Sequence, residues 1–139
     1  MSAITTIVLL PVLTVVLTTV LQLGSLRVVA ARLASAADLA ALVAVNDQDD
    51  TELARSGRLV PAADAVDVAR AVFAENLEPI AALLASTPEE IASAARVRVD
   101  VTPATVHISA IVPVRTPLFG ALFFRPISQV AITSNGGAR

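Results

Sequence analysis

The sequence contains no cysteine, no tryptophan, no tyrosine and no lysine. Without cysteine there are no disulfides and no thiolate zinc sites. Without lysine the ten basic residues are all arginine, and they are scattered among twelve acidic ones to a net charge of −2. Arg96, Arg98, Arg115 and Arg125 make the last third mildly basic, as a solvated sheet face would. No basic stripe of the kind that nucleic-acid binding requires is present, so no nucleic-acid partner is expected. Aromatic residues are only Phe73, Phe119, Phe123 and Phe124, so the core must be built from alanine, valine and leucine. Small side chains of that kind permit close helix approach and give a thin core.

Charge is also absent where it is most informative. The first charged side chain is Arg27, and residues 1–26 are uncharged and mostly aliphatic. About 20 helical residues span the hydrocarbon of a bilayer. Thr5, Thr6, Thr14, Thr18 and Thr19 fit such a helix, since each hydroxyl can bond the carbonyl one turn back. The run is too long for the apolar core of a cleavable signal and lacks its basic n-region, which predicts an uncleaved membrane helix. The pattern continues beyond Gly24-Ser25 without a breaker. One helix from about Ile4 to about Val45 is expected, around 60 Å long. Ala30, Ala34, Ala37 and Ala41 recur on one face of its second half as a packing stripe. That stripe suits either the chain's own sheet or another copy of the same helix.

The polar cluster from Asn46 to Glu52 ends this helix, and a surface loop is expected through Arg58. Pro61 suits the first position of a second helix, with Val66, Ala69, Phe73 and Leu77 as its apolar stripe and a restart near Pro79. Ser86-Thr87-Pro88-Glu89 reads as the N-cap of a short third helix reaching about Ala95. The period then changes to two. Residues 96–101 alternate polar and apolar, Thr102 to Thr105 turn the chain, and Val106, Ile108 and Ala110 resume one face opposite His107 and Ser109, predicting a hairpin. Pro113 and Pro117 predict an edge or a loop next, then a third strand around Gln129–Thr133 and a fraying tail from Asn135.

Catalytic patterns are lacking. No phosphate loop, nucleophile elbow or paired-histidine metal motif occurs, and His107 reads as a polar-face strand residue. Asp47, Asp49, Asp50 and Glu52 offer the oxygens calcium takes. They lack the glycine and distal glutamate of an EF-hand loop, so a capping loop is the better reading. No catalytic residue, cofactor or metal is therefore assigned. The apolar segment Leu118, Phe119, Leu122, Phe123 and Phe124 either closes the small core or meets a neighbouring subunit.

A charge-free N-terminal helix continuing into a head with a small antiparallel sheet resembles a type IV pilin. It is most similar to the TadE/TadG-like pseudopilins of tight-adherence (Tad) pili. Residues Ala3-Ile4-Thr5-Thr6-Ile7-Val8-Leu9-Leu10-Pro11 fall on that family's opening segment and proline-containing aliphatic run. Residues 31–42, with Ala36-Ala37-Asp38 at their centre, fall on its small-residue helix. The resemblance implies an α+β fold, with residues 1–26 as the transmembrane or filament-core half of the helix and 27–139 as the head. Within the head, 27–45 continue the helix, 61–95 are helical and 96–134 form a three-stranded antiparallel sheet. It implies a structural subunit of a surface pilus, serving adhesion or surface attachment, rather than an enzyme. The alternative is a single-span, membrane-anchored extracytoplasmic protein that binds a partner without polymerising.

On the pilin reading Ile4, Thr5, Ile7, Leu10, Pro11, Leu13, Val16, Leu17, Val20 and Leu23 carry assembly. The implied partners are other pilin subunits, the membrane before assembly, an assembly platform and a prepilin peptidase. Thr5 stands where the family usually has a glutamate that pairs with a neighbour's N-terminal amine, which shifts weight toward a minor or tip subunit. Arg27 and Arg32 follow the span and taken alone favour a cytoplasmic head, whereas the resemblance places the head outside. The expected localisation is the membrane before assembly and the cell surface afterwards.

Overall fold

The structure, a computed structural model, describes residues 2–123 and 126–137, with backbone only at 2–5 and 122–123. Its dominant element is α1, Ser2–Asn46, a helix of 45 residues with Pro11 inside it. In its apolar half Thr14, Thr18 and Thr19 donate to the carbonyls of Leu10, Thr14 and Val15 at 2.7–2.9 Å, so each hydroxyl is satisfied within the helix. The rest of the chain folds against the second half.

In place of the expected loop, the chain forms a short helix, α2 (Asp50–Ser56). Asp49 is its N-cap, its carboxylate accepting from the Thr51 and Glu52 amides, and Gly57 closes it in the left-handed region at φ 67°. The acidic cluster is therefore spent on capping and on the helix N-terminus rather than on open loop. Pro61 does not start a helix. It lies in an antiparallel bridge with Gln48, fixed by Asp49 N–H donating to the Val60 carbonyl and Ala62 N–H to the Asp47 carbonyl, both at 2.9 Å. The next helix, α3, begins later, at Ala65–Leu77. Its buried stripe is Ala65, Ala69, Phe73 and Leu77, with Val66 only half-buried. The four-residue spacing lets this stripe follow α1 along its length.

Pro79 restarts the chain as a 3₁₀ turn, Glu78–Leu83. The following helix, α4 (Pro88–Ala94), has Thr87 rather than Ser86 as its cap. Thr87 accepts from the Glu90 amide while Glu90 reaches back to the Thr87 amide, a reciprocal capping box with Pro88 at the first turn.

Three strands form an antiparallel meander, β1 (Arg96–Val101), β2 (Ala104–Arg115) and β3 (Ile127–Gly137), with β2 central. The inner face of β2 is Val106, Ile108, Ala110, Val112 and Val114, all buried. Pro113 does not break the sheet as its chemistry predicts; β2 runs through it. Opposite Pro113 on one side is Gln129 of β3; on the other side β1 has already ended, since its pairing with β2 stops at Ser109. The Pro113 carbonyl accepts from Ala85 N–H at 2.9 Å, away from β3. In an antiparallel strand a residue's N–H and C=O point to the same side, so the missing donor falls where β3 does not need it.

β3 is also longer than expected at both ends, and Asn135–Gly137 belong to it rather than to a loose tail. Gly136 explains the ending. A Cβ there would lie 2.6 Å from the Ala41 carbonyl oxygen and 3.1 Å from the Ala41 Cβ, so only glycine admits this backbone approach of strand to helix. Two residues earlier, Ser134 Oγ donates to Asp38 Oδ1 at 2.5 Å, tying the same strand to the same helix. The core thus lies between α1, α3 and the sheet, around Leu33, Val45, Phe73, Leu77, Leu84 and Ile108. The whole is an α+β, pilin-like arrangement.

Candidate assembly surface

The first half of α1 presents apolar side chains on every side. Ile7, Leu10, Leu13, Val16, Leu17, Val20 and Leu23 are all exposed, Ile7 at 72% and Leu10 at 64%. Pro11 is exposed among them. The side chains of Ile4 and Thr5 lie outside the described residues. In length and composition α1 is the one helix among the described residues able to cross a membrane, and only 6% of its most apolar window is covered by the head. The core helix of a soluble protein of this hydropathy would be mostly covered; this one is bare.

The second half behaves oppositely. Val29, Leu33, Ala36, Ala37, Ala40, Ala41, Ala44 and Val45 are buried against the head. Of the alanine stripe picked from spacing, Ala37 and Ala41 are fully buried, while Ala30 and Ala34 are half-buried on its margin. The buried face is centred on Leu33, Ala37 and Ala40 because both α3 and β3 pack on this half, widening it beyond one row. Val28, Leu39, Leu42 and Val43 remain exposed on the opposite side.

The two halves meet at Gln22, the sole amide side chain before Arg27. It is 4% exposed although its neighbours Leu21 and Leu23 are bare. Gln22 Oε1 accepts from the Leu118 amide at 3.2 Å, and its Nε2 donates to Ser25 Oγ at 3.1 Å. The Ser25 hydroxyl in turn donates to the Gln22 carbonyl at 2.8 Å. Leu118 lies in α5, Pro117–Phe123, a short apolar helix between β2 and β3. The segment expected either to close the core or to face a neighbour is therefore a helix seated on α1. Leu118 is exposed and Phe119 half-buried; the side chains of Leu122 and Phe123, and Phe124 altogether, lie outside the described residues. Gln22 is legible as an isolated amide in an aliphatic helix, but nothing in the sequence links it to residue 118.

Among the described residues the polar groups do not converge on a reactive centre. His107 bonds Asn135 Oδ1 through Nδ1 at 2.5 Å, and both Thr105 Oγ1 and Asp100 Oδ2 approach its Nε2 at 3.3 Å. Arg98 holds the other Asp100 oxygen at 3.1 Å. A proton relay needs the carboxylate and the hydroxyl on opposite ring nitrogens. Here they share one, so this is a chain of contacts along the outer sheet face. Among the described residues no group of three or more metal-binding side chains occurs.

Comparison with known proteins bears on the same helix. Residues 1–47 match the family described as "Putative Flp pilus-assembly TadE/G-like". The N-terminal helix is TadE/G-like. The matched residues end where α1 ends, at Asn46 and Asp47, so the likeness covers the bare half and the packed half together. Over this helix, about a third of the chain, the sequence is similar to that pilus-assembly family. The likeness also fits the apolar helix to membrane anchoring or the cell surface. No match was found among curated proteins or among solved structures.

Proposed function

We propose that this TadE-like chain is a structural, pilin-like subunit that enters a Tad-type filament at the cell surface through the first half of α1. The observation that carries this reading is the exposure, on every side, of the large aliphatic side chains between Ile7 and Leu23 on a helix whose other half is packed into the head. Residues up to 26 then act as the transmembrane and filament-core half, and residues from 27 on as the head. Before assembly the bare half sits in lipid. In a filament the same side chains pack against other subunits, an exchange that changes little in apolar contact because lipid tails and leucine are equally apolar. Ile7, Leu10, Leu13, Val16, Leu17, Val20 and Leu23 carry the contact, with Ile4, Thr5 and Pro11 in the same stretch. Partners are copies of this chain or other pilins, an assembly platform and a prepilin peptidase. The filament serves adhesion or surface attachment.

Imaging and fractionation of sheared cell surfaces test this. Sedimentable fibres containing the chain are expected. Recovery only with the bilayer favours instead a single-span anchored protein that binds a partner without polymerising.

A further inference from the structure

The end of the head nearest the bare helix is apolar, and none of the described residues covers it. Leu83, Pro117, Leu118, Ala121, Pro126 and Ile127 are all exposed there, from three separate segments. They come together because Leu84 bridges to Val114 and the Thr116 amide donates to the Pro126 carbonyl at 2.7 Å, which holds the end of β2 beside the start of β3. Gly120 lets α5 come close to Pro126, since a Cβ there would be 3.2 Å from the Pro126 Cα. Arg115 lies at the edge of the same groove as Leu83, Pro117 and Ile127.

The height of this end along α1 is marked by one bond, Leu118 N–H to Gln22. Gln22 to Arg27 is five residues, a rise of about 7 Å. A headgroup layer is about 5–7 Å thick on each side of the hydrocarbon. The last buried amide of the apolar half and the first charge of the chain therefore bracket a layer of that depth. The twenty residues from 2 to 21 rise about 30 Å, the thickness of the hydrocarbon itself. A membrane placed by these marks meets α5 and its neighbours at the same level, not above it.

We propose that this end of the head is a lipid-seated foot: α5 and the flanking residues Leu83 and Ile127 rest in the interface of the leaflet from which the head emerges, with Arg27 and Arg115 directed to lipid phosphates. The occupant is a phospholipid leaflet because the patch is continuous with the bare half of α1 and is edged by arginine. Arginine buries its stem on apolar surface while its guanidinium meets phosphate. The foot holds the head at a defined tilt and height beside the membrane, and extraction of the subunit must peel it away. The inference rests on α1 crossing the bilayer.

The chain has no cysteine, so single labels can be placed at will. Leu13→Cys, Leu118→Cys, Ile127→Cys and Val101→Cys are made in the full chain, labelled with an environment-sensitive fluorophore and reconstituted in phosphatidylcholine–phosphatidylglycerol vesicles. All four positions are exposed, so folding should be retained, and a circular-dichroism melt checks it. The expected result is a deep label at 13, labels at 118 and 127 blue-shifted and quenched by headgroup-level spin-labelled lipid, and an aqueous label at 101 on the far hairpin. Aqueous labels at 118 and 127 with a deep label at 13 would overturn the foot and leave the span intact. Shielding at 118 and 127 that disappears on dilution with lipid would show a second copy as the occupant and also overturn it. A label at 13 that is not deep would remove the span, and the foot with it.

Discussion

The two halves of α1 share one backbone geometry and nearly the same alphabet, yet one is bare and the other is the spine of a folded head. Before Arg27 the large aliphatics Ile, Leu and Val point in every direction. After it, alanine replaces them on the side that meets α3 and β3, and the backbone of β3 approaches closely enough that Gly136 has no room for a methyl. Hydrophobicity alone therefore does not say what a helix is for. Large side chains all round leave a surface for a soft, adaptable environment, while small side chains on one face admit rigid neighbours.

The largest test of this contrast is the same substitution in each half. Leu33→Glu should prevent the head from folding, because it places an unpaired charge at a site with no solvent access. Leu10→Glu or Val16→Glu should leave head folding within about 0.5 kcal/mol, since both sites are exposed. On the proposed reading either should nevertheless abolish filaments, a charge at mid-bilayer costing about 2.5–3.5 kcal/mol. Head melting and sheared-fibre yield read the two arms, and normal filaments from Leu10→Glu would sink the assembly role. Phe73→Ala should destabilise the head by about 3–5 kcal/mol, as it empties the largest fully buried side chain; denaturant titration gives the value. Gly136→Ala should cost about 1–3 kcal/mol by forcing β3 off Ala41, seen as a lowered melting temperature without loss of membrane retention. Asp49→Ala is the mildest, about 1 kcal/mol through the lost α2 cap, with no change in α1.

Much of the architecture is readable from pattern. The long helix, the amphipathic α3, the capped α4 and the alternation of β1 and early β2 each follow from local periodicity that the structure reproduces. The departures from pattern are decided by partners distant in sequence. Pro113 is harmless because β1 stops short of it, and Pro61 is drawn to Gln48 rather than opening a helix. Asn135–Gly137 are ordered as strand because His107, Val106 and Thr105 lie opposite them. At the candidate surface, the bare aliphatic residues are legible and the Gln22–Leu118 bond is not, since it joins residues 96 apart.

Helical period and side-chain size are local properties. The order of residues was therefore enough to dictate one very long helix, charge-free at first and small-residued later, and a thin alanine–valine core. Where that helix leaves the head, which of its faces is taken, and the seat of α5 at Gln22 were settled by the folded arrangement. Those depend on backbone approaches and hydrogen bonds between segments that no single stretch of sequence contains.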